Sequence, residues 1–166
     1  MEDRHWEAAD AFYRHTCDRK WNDAYLQPGF FDEIRRRMPE RFVFCAAELS
    51  GEVIAGAIFF RRQDALYGRH WGRRDMARLD GLHFEVCYYA PLEWALQQGV
   101  RLVEAGAQGE HKVARGFRPA SIRSAHYFAD PRLAGGVARF LDEERAHTEL
   151  VMEHLERHGA FRREEG

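Results

Sequence analysis

Apolar residues at Trp6, Ala9, Phe12, Tyr13 and Cys17, with charged residues between them, recur at the spacing of one helix face. They predict a helix over Trp6 to Trp21. Gln27-Pro28-Gly29 opens a second helix whose buried side is Phe30, Phe31, Ile34 and Met38, and Pro39 stops it. The period then shortens. Phe42 to Leu49 and Val53 to Arg61 read as strands joined by Ser50-Gly51-Glu52, a hairpin turn signal. Ala65 to Trp71 follows the short Arg62-Gln63-Asp64 link as a third strand, which makes an antiparallel meander. Gly72 to Gly81 is polar and irregular and reads as a loop.

Beyond it, Leu82, Phe84 and Val86 alternate with His83, Glu85 and Cys87, the pattern of a strand from Leu82 to Cys87. Pro91 to Gln98 predicts a helix closed by Gly99, and Arg101 to Ala107 another strand. The intervening helix makes these two strands a parallel crossover pair. Glu110 to Gly116 fits a short helix and Ser121 to Phe128 a further strand. Asp130-Pro131 is a helix start, N-cap then first-turn proline. Leu133, Val137, Phe140, Leu141, Leu150, Val151 and Leu155 mark a long amphipathic helix running to Gly159. The expectation is one domain over residues 1–166 of mixed α/β (α+β) class. Its sheet core spans 39–128, with helices on both faces and a closing helix over 130–159.

The chain has 166 residues, 45% of them hydrophobic, enough for a proper core. A net charge of -2 gives no global field toward nucleic acid or membrane. Arginine dominates the basic set, and Lys20 and Lys112 are the only lysines. Arg35-Arg36-Arg37 and the group Arg69, Arg73, Arg74 and Arg78 read as solvated faces. Cys17, Cys45 and Cys87 have no paired or metal-binding spacing and read as reduced thiols. The N-terminus is charged, and the longest apolar run, near Val53 to Phe60, is short for a membrane span. A cytoplasmic protein without membrane insertion is expected.

The most polar turn is Gln108-Gly-Glu-His-Lys-Val-Ala-Arg115, directly after the predicted strand ending at Ala107. The carboxyl end of a strand in an open α/β sheet is where loops aim polar groups at a ligand. Gly106 and Gly109 remove bulk there. Free N–H groups at the start of the Glu110–Gly116 helix, with Lys112 and Arg115, suit a phosphate, a carboxylate or an oxyanion. His111 and Arg115, four apart, would share one helix face. His83 and Glu85 would share one strand face, with Glu85 as a general base raised by partial burial and His83 relaying its proton. His126 could reach the same cleft. Each has a plainer reading: a solvated turn, a structural His–Glu hydrogen bond, a first-turn glutamate, a core histidine. His83, Glu85, Glu110, His111 and His126 lack the spacing of a metal-binding helix, so no metal is expected.

Four segments stand in order along the chain: Leu66-Tyr-Gly-Arg-His-Trp-Gly72, Leu82-His-Phe-Glu-Val-Cys-Tyr-Tyr89, Gly106-Ala-Gln-Gly-Glu-His-Lys112 with Arg115-Gly116, and Ser124-Ala-His126. Together they resemble a bacterial family of Fem-like, peptidoglycan-biosynthesis-like N-acyltransferases of the GNAT superfamily. The likeness runs from Phe12-Tyr13 and Lys20-Trp21 to Ala160-Phe-Arg162. It implies a GNAT-like fold whose strands Leu82–Cys87 and Arg101–Ala107 splay into an acyl-donor cleft. Family members are commonly about twice as long, and this chain resembles their C-terminal half. That implies a fragment, or a minimal version that pairs as a homodimer or with a second GNAT-like half. The glycine-rich loop that holds the donor pyrophosphate in acetyl-CoA enzymes would fall at Cys87-Tyr-Tyr-Ala-Pro91, which has no glycine.

The resemblance implies transfer of an acyl or aminoacyl group to a small-molecule or peptide amine, in connection with peptidoglycan precursors. The donor would be an acyl-CoA or an aminoacyl-tRNA. Glu85 would be the base with His83 in support, Tyr89 or Tyr88 the acid, and Gln108 with the Gly109–Glu110 N–H groups the carbonyl polariser. His111 would belong to the catalytic set, and Gly106, Gly109, Glu110, Lys112, Arg115 and His126 would line the donor and substrate pocket. The rival is a non-catalytic GNAT-shaped binding or scaffold half. A tRNA donor would engage Arg69, Arg73, Arg74 and Arg78.

Overall fold

The computed structural model describes residues 1–19, 24–75, 77, 79–106 and 110–157. The chain forms two compact units, Met1–Ala107 and Gln108–Gly166. The first unit carries the sheet. Helices α1 (Asp3–Arg19) and α2 (Phe30–Arg37) and a 3-10 turn (Pro39–Arg41) lead into strands β1 (Phe42–Leu49), β2 (Glu52–Arg62) and β3 (Ala65–Arg73). The meander is antiparallel and ordered as predicted. Its β1–β2 turn puts Ser50 and Gly51 at positive φ, 53° and 83°, the conformation its two tight central residues require.

Leu82–Cys87 is not a strand. It is helical: α3 (Leu82–Phe84) runs into a π-helical segment (Glu85–Tyr89) and then α4 (Ala90–Gln97). Glu85, Tyr89 and Ala90 all keep right-handed helical dihedrals across the junctions. Two periods compete in this stretch. Leu82, Phe84 and Val86 alternate, but Leu82, Val86, Cys87, Trp94 and Ala95 also make a helical stripe, and that stripe packs against the sheet. Six residues cannot separate a period of 2 from one of 3.6; burial on the sheet does. The π-helical turn precedes Pro91, whose ring cannot donate a hydrogen bond and crowds the carbonyl a turn back, so the wider turn relieves the clash.

Strand β4 (Leu102–Glu104) pairs parallel with β3, not with Leu82–Cys87. The crossover that the sequence places between Leu82–Cys87 and Arg101–Ala107 therefore connects β3 to β4, through α3, the π segment and α4. The sheet order is β1-β2-β3-β4. Side chains alternate along β2: Ile58 packs with Trp6, Ala9, Tyr13, Phe31 and Phe42 on the α1/α2 face. Ala57 and Phe59 pack with Leu66, Val86, Ala95 and Val100 on the other. Helices thus cover both faces of a mixed sheet.

In the second unit a 3-10 helix (Glu110–Arg115) is followed by irregular backbone and α5 (Pro131–Arg157). Ser121–Phe128, predicted as a strand, forms no ladder. Its apolar Ile122 and Tyr127 are 69% and 90% exposed, so no buried face exists to reward pairing. Asp130 caps α5 as predicted, its Oδ1 accepting from the Arg132 N–H at 2.8 Å. The predicted helix end at Gly159 lies outside the described residues, as do Lys20, Trp21 and the Ala160-Phe-Arg162 segment.

Candidate active site

The parallel pair β3/β4 holds register only over Ala65↔Leu102, Leu66↔Val103 and Tyr67↔Glu104. Beyond Tyr67, β3 continues along β2 to Arg73 while the other chain turns away at Gly106, whose φ is 81°. The two strands part at this point. The splay expected between Leu82–Cys87 and Arg101–Ala107 does not form, because Leu82–Cys87 is helical; the parallel pair whose register ends here is β3 and β4. At Gly68 the two chains are still close: a Cβ there would stand 3.2 Å from the Glu104 carbonyl oxygen. Further on, α1 closes over the strand. Thr16 Oγ1 donates to the Trp71 carbonyl at 2.9 Å, and a Cβ on Gly72 would lie 2.6 Å from Phe12 Cβ. The stretch left beside the opening is Gly68–His70.

A bulge sits in that stretch. Ile58 pairs with His70 and Phe59 with Gly68, leaving Arg69 as the extra residue. The bulge inverts the alternation. Trp71 returns to the α3 face, where the His83 ring meets it edge-on at 4.5 Å. His70 points the opposite way, toward the rings of Tyr13 at 4.9 Å and Tyr25 at 5.8 Å. The Tyr25 hydroxyl and His70 Nε2 are 2.7 Å apart. Tyr13 is buried, and its hydroxyl accepts from the Leu26 N–H at 2.9 Å, which ties down the segment carrying Tyr25. Burial raises the Tyr13 phenol above the usual range. Sequence reasoning singles out neither Tyr25 nor His70 for chemistry; the signal available is a His beside Gly68 in the Leu66–Gly72 motif.

The loop after β3 is organised by arginines. Arg73 Nη1 donates to the Ala77 carbonyl at 2.9 Å, and Arg74 Nε to that of Val53 at 3.0 Å. The loop ends at Gly81, left-handed at φ 78°, which opens the helix. The place between the first cleft strand and the following helix is thus Arg74–Gly81, and Cys87–Pro91 lies within the helix. A groove of about 580 Å³ beside the carboxyl end of β3 is lined by Phe12, His15, Val53, Arg73, Arg74 and Asp75 among others.

The predicted catalytic set fares differently. His83 and Glu85 do not share a strand face. Two residues apart on a helix, they point about oppositely. His83 lies against Trp71 and, at 5.6 Å, Tyr88. Glu85 is exposed and reaches the β1 side, where its charge adds to the burial that pushes the Cys45 thiol up to about 11. The partial burial that a general base would need there is absent. Tyr89 is 50% exposed; Tyr88 is buried. Gly106 marks the turn out of β4. Gln108 and Gly109 lie outside the described residues, as does the side chain of Glu110.

In the second unit Arg115 Nη1 donates to the His111 carbonyl at 2.7 Å. The helix there is 3-10, so Lys112 and Arg115, three apart, are the residues that eclipse, rather than His111 and Arg115. His126 is exposed on irregular backbone, with its Nε2 2.9 Å from Ser124 Oγ, and is not a core histidine. Among the described residues no three His, Cys, Asp or Glu side chains gather as a metal site requires, and no helix is long and apolar enough to cross a membrane.

A family model described as FemAB-like, peptidoglycan biosynthesis/recognition, matches residues 1–163. The chain belongs to the FemAB-like family. Its fold is that of GNAT acetyltransferases. The aminoglycoside acetyltransferase meta-AAC0020 from an uncultured soil metagenomic sample, solved with sisomicin, superposes at a TM-score of 0.54 and 13% identity. That match covers 78% of this chain and 92% of the other. AAC(6')-Iy, in complex with a CoA-S-monomethyl-acetylneamine bisubstrate analogue, gives 0.52 at 14% identity over 78% and 95%. No curated protein matches this FemAB-like chain.

Proposed function

We propose that this FemAB-like protein is an N-acyltransferase that takes its acyl group from an acyl-CoA and passes it to an amine of a peptidoglycan precursor. The observation that carries the reading is the parting of β3 and β4 after Tyr67 and Glu104. Parting strands leave backbone N–H and C=O groups of Gly68–His70 beside an opening, a surface that pairs with the amide groups of an extended donor arm. The helix that begins after Gly81 offers first-turn N–H groups at the carboxyl end of β3, where an anionic donor end is favoured. Among the structural neighbours, one was solved with a CoA-based bisubstrate analogue and one with an aminoglycoside. The family description supplies the peptidoglycan connection.

An aminoacyl-tRNA donor is less well supported. Arg73 and Arg74 spend their guanidinium groups on the Ala77 and Val53 carbonyls, and Arg74 also lies 3.4 Å from Glu52. The net charge of -2 gives no strong field toward a phosphate backbone. The test uses the full chain with acetyl-CoA and a longer acyl-CoA. Calorimetry reads donor binding, and release of free thiol reads transfer to a diamino-acid peptide or to an aminoglycoside. Amine-dependent thiol release is expected. Donor binding with no amine-dependent release from any acceptor would return the chain to the scaffold reading.

A further inference from the structure

Resting on that acyl-transfer reading, we propose that Tyr25 and His70 are the proton-handling pair of the reaction. Tyr25 meets the acceptor amine, and His70 holds the proton behind it. The Tyr25 hydroxyl and His70 Nε2 are 2.7 Å apart, a short O–H···N contact. Tyr25 is 66% exposed while His70 is half-buried, so the outer end of the pair is open to an incoming amine and the inner end is shielded. His70 belongs to the bulged Gly68–His70 stretch beside the opening between β3 and β4, where the donor thioester would lie.

The pair is also held in place. Both rings pack on the buried ring of Tyr13, at 4.9 and 5.8 Å, and Tyr13 in turn accepts the Leu26 N–H next to Tyr25. Among the described residues, the buried Tyr13 phenol packs against both rings, and burial raises it above the usual phenol range. Tyr13 therefore fixes the two rings without adding a charge of its own.

The step requires the tautomer with the proton on Nδ1, leaving Nε2 as acceptor for the Tyr25 hydroxyl. An ammonium acceptor gives one proton to Tyr25 Oη as the tyrosine's own proton moves to His70 Nε2. The amine then attacks the thioester carbonyl; the C–N bond forms and the C–S bond breaks. The second nitrogen proton ends on the CoA thiolate, and His70 returns its proton to solvent. Tyr25 is the catalytic residue here and His70 the positioning residue that acts through it.

The experiment measures kcat/KM against pH for the full chain, Tyr25→Phe and His70→Gln, using thiol release with whichever amine the wild type accepts. Thermal melts and acyl-CoA titration run alongside. His70→Gln and Tyr25→Phe should each lower kcat/KM about 100-fold, and His70→Gln should abolish the fall in rate on the acid side. Acyl-CoA affinity should stay within about twofold of wild type in both, as an effect on chemistry rather than donor binding demands. Tyr25→Phe keeps the exposed ring and its packing, so it separates lost chemistry from lost folding. An active wild type whose two variants keep its rate and pH profile overturns this inference and leaves the acyl-transfer reading standing. A wild type that turns over no amine overturns both.

Discussion

At the scale of single residues, glycines and buried polar atoms set the tolerances. Gly72 lies under α1, and a Cβ there would stand 2.7 Å from the Phe12 carbonyl oxygen, a backbone atom that cannot swing aside. Gly72→Ala should therefore lower stability by roughly 1–3 kcal/mol, read as a lower urea midpoint at unchanged slope. Glu85→Gln makes the opposite prediction for activity. Glu85 is exposed on its helix and lacks the burial that a general base needs. The substitution should therefore leave kcat/KM within a factor of about two. A tenfold loss would restore Glu85 to the site. Cys45 carries a pH prediction. Its folded thiol stays protonated up to about 11, held by burial first and by the Glu85 charge second. In the unfolded chain a cysteine loses its proton near about 8.5. The folded value is the higher, so this contribution is complete below that pH and is lost as pH rises toward about 11. Stability should fall there by roughly 2–3 kcal/mol, and Cys45→Ala should flatten the fall in melts across that range.

Among elements, the segment that matters most is the one whose period the sequence left open. Leu82–Cys87 satisfies a strand alternation and a helical stripe equally, and only the presence of a sheet face beneath Leu82, Val86 and Cys87 decides for the helix. The β3 bulge is similar. No residue in Gly68-Arg-His-Trp71 demands an extra position, yet the inserted Arg69 turns His70 toward Tyr25 and Trp71 toward His83. The loop between β3 and α3 is held by Arg73, which donates to Ala77 across it. Arg73→Ala should loosen that loop and weaken acyl-CoA binding about fivefold by calorimetry, with the near-ultraviolet signature of the core retained. The α5 cap gives a simpler check. Removing the Asp130 carboxylate in Asp130→Ala leaves the Arg132 N–H uncapped and should cost about 1 kcal/mol of helix stability, read by circular dichroism.

For the whole molecule, the burial is uneven. Both hydrophobic clusters, from Trp6 to Val103, lie in Met1–Ala107. α5 has no buried residue, and Leu133, Phe140 and Leu150 on its apolar stripe are 53%, 62% and 64% exposed. Val137, Leu141 and Leu155 of the same stripe are half-buried, so the helix draws little on burial and largely on intrinsic propensity, which is marginal in water. Residues 1–107 expressed alone should keep a single cooperative urea transition close to the main transition of the full chain. Loss of that transition would mean that Gln108–Gly166 contributes to the core.

The meander, the helix start at Pro131 and the mixed α/β class were legible because each rests on local chemistry: turn residues, a proline, an N-cap and short unambiguous periods. The second helix begins at Phe30, past the Pro28 expected in its first turn. The polar turn after Gly106 was visible too, and the family resemblance implied two strands that part. Which strands part was not, because pairing joins residues far apart in sequence and depends on where a helix can bury its stripe. The Tyr25–His70 contact was hidden for the same reason. It links a loop to a strand 45 positions away through a bulge that shows only when β2 and β3 are laid side by side.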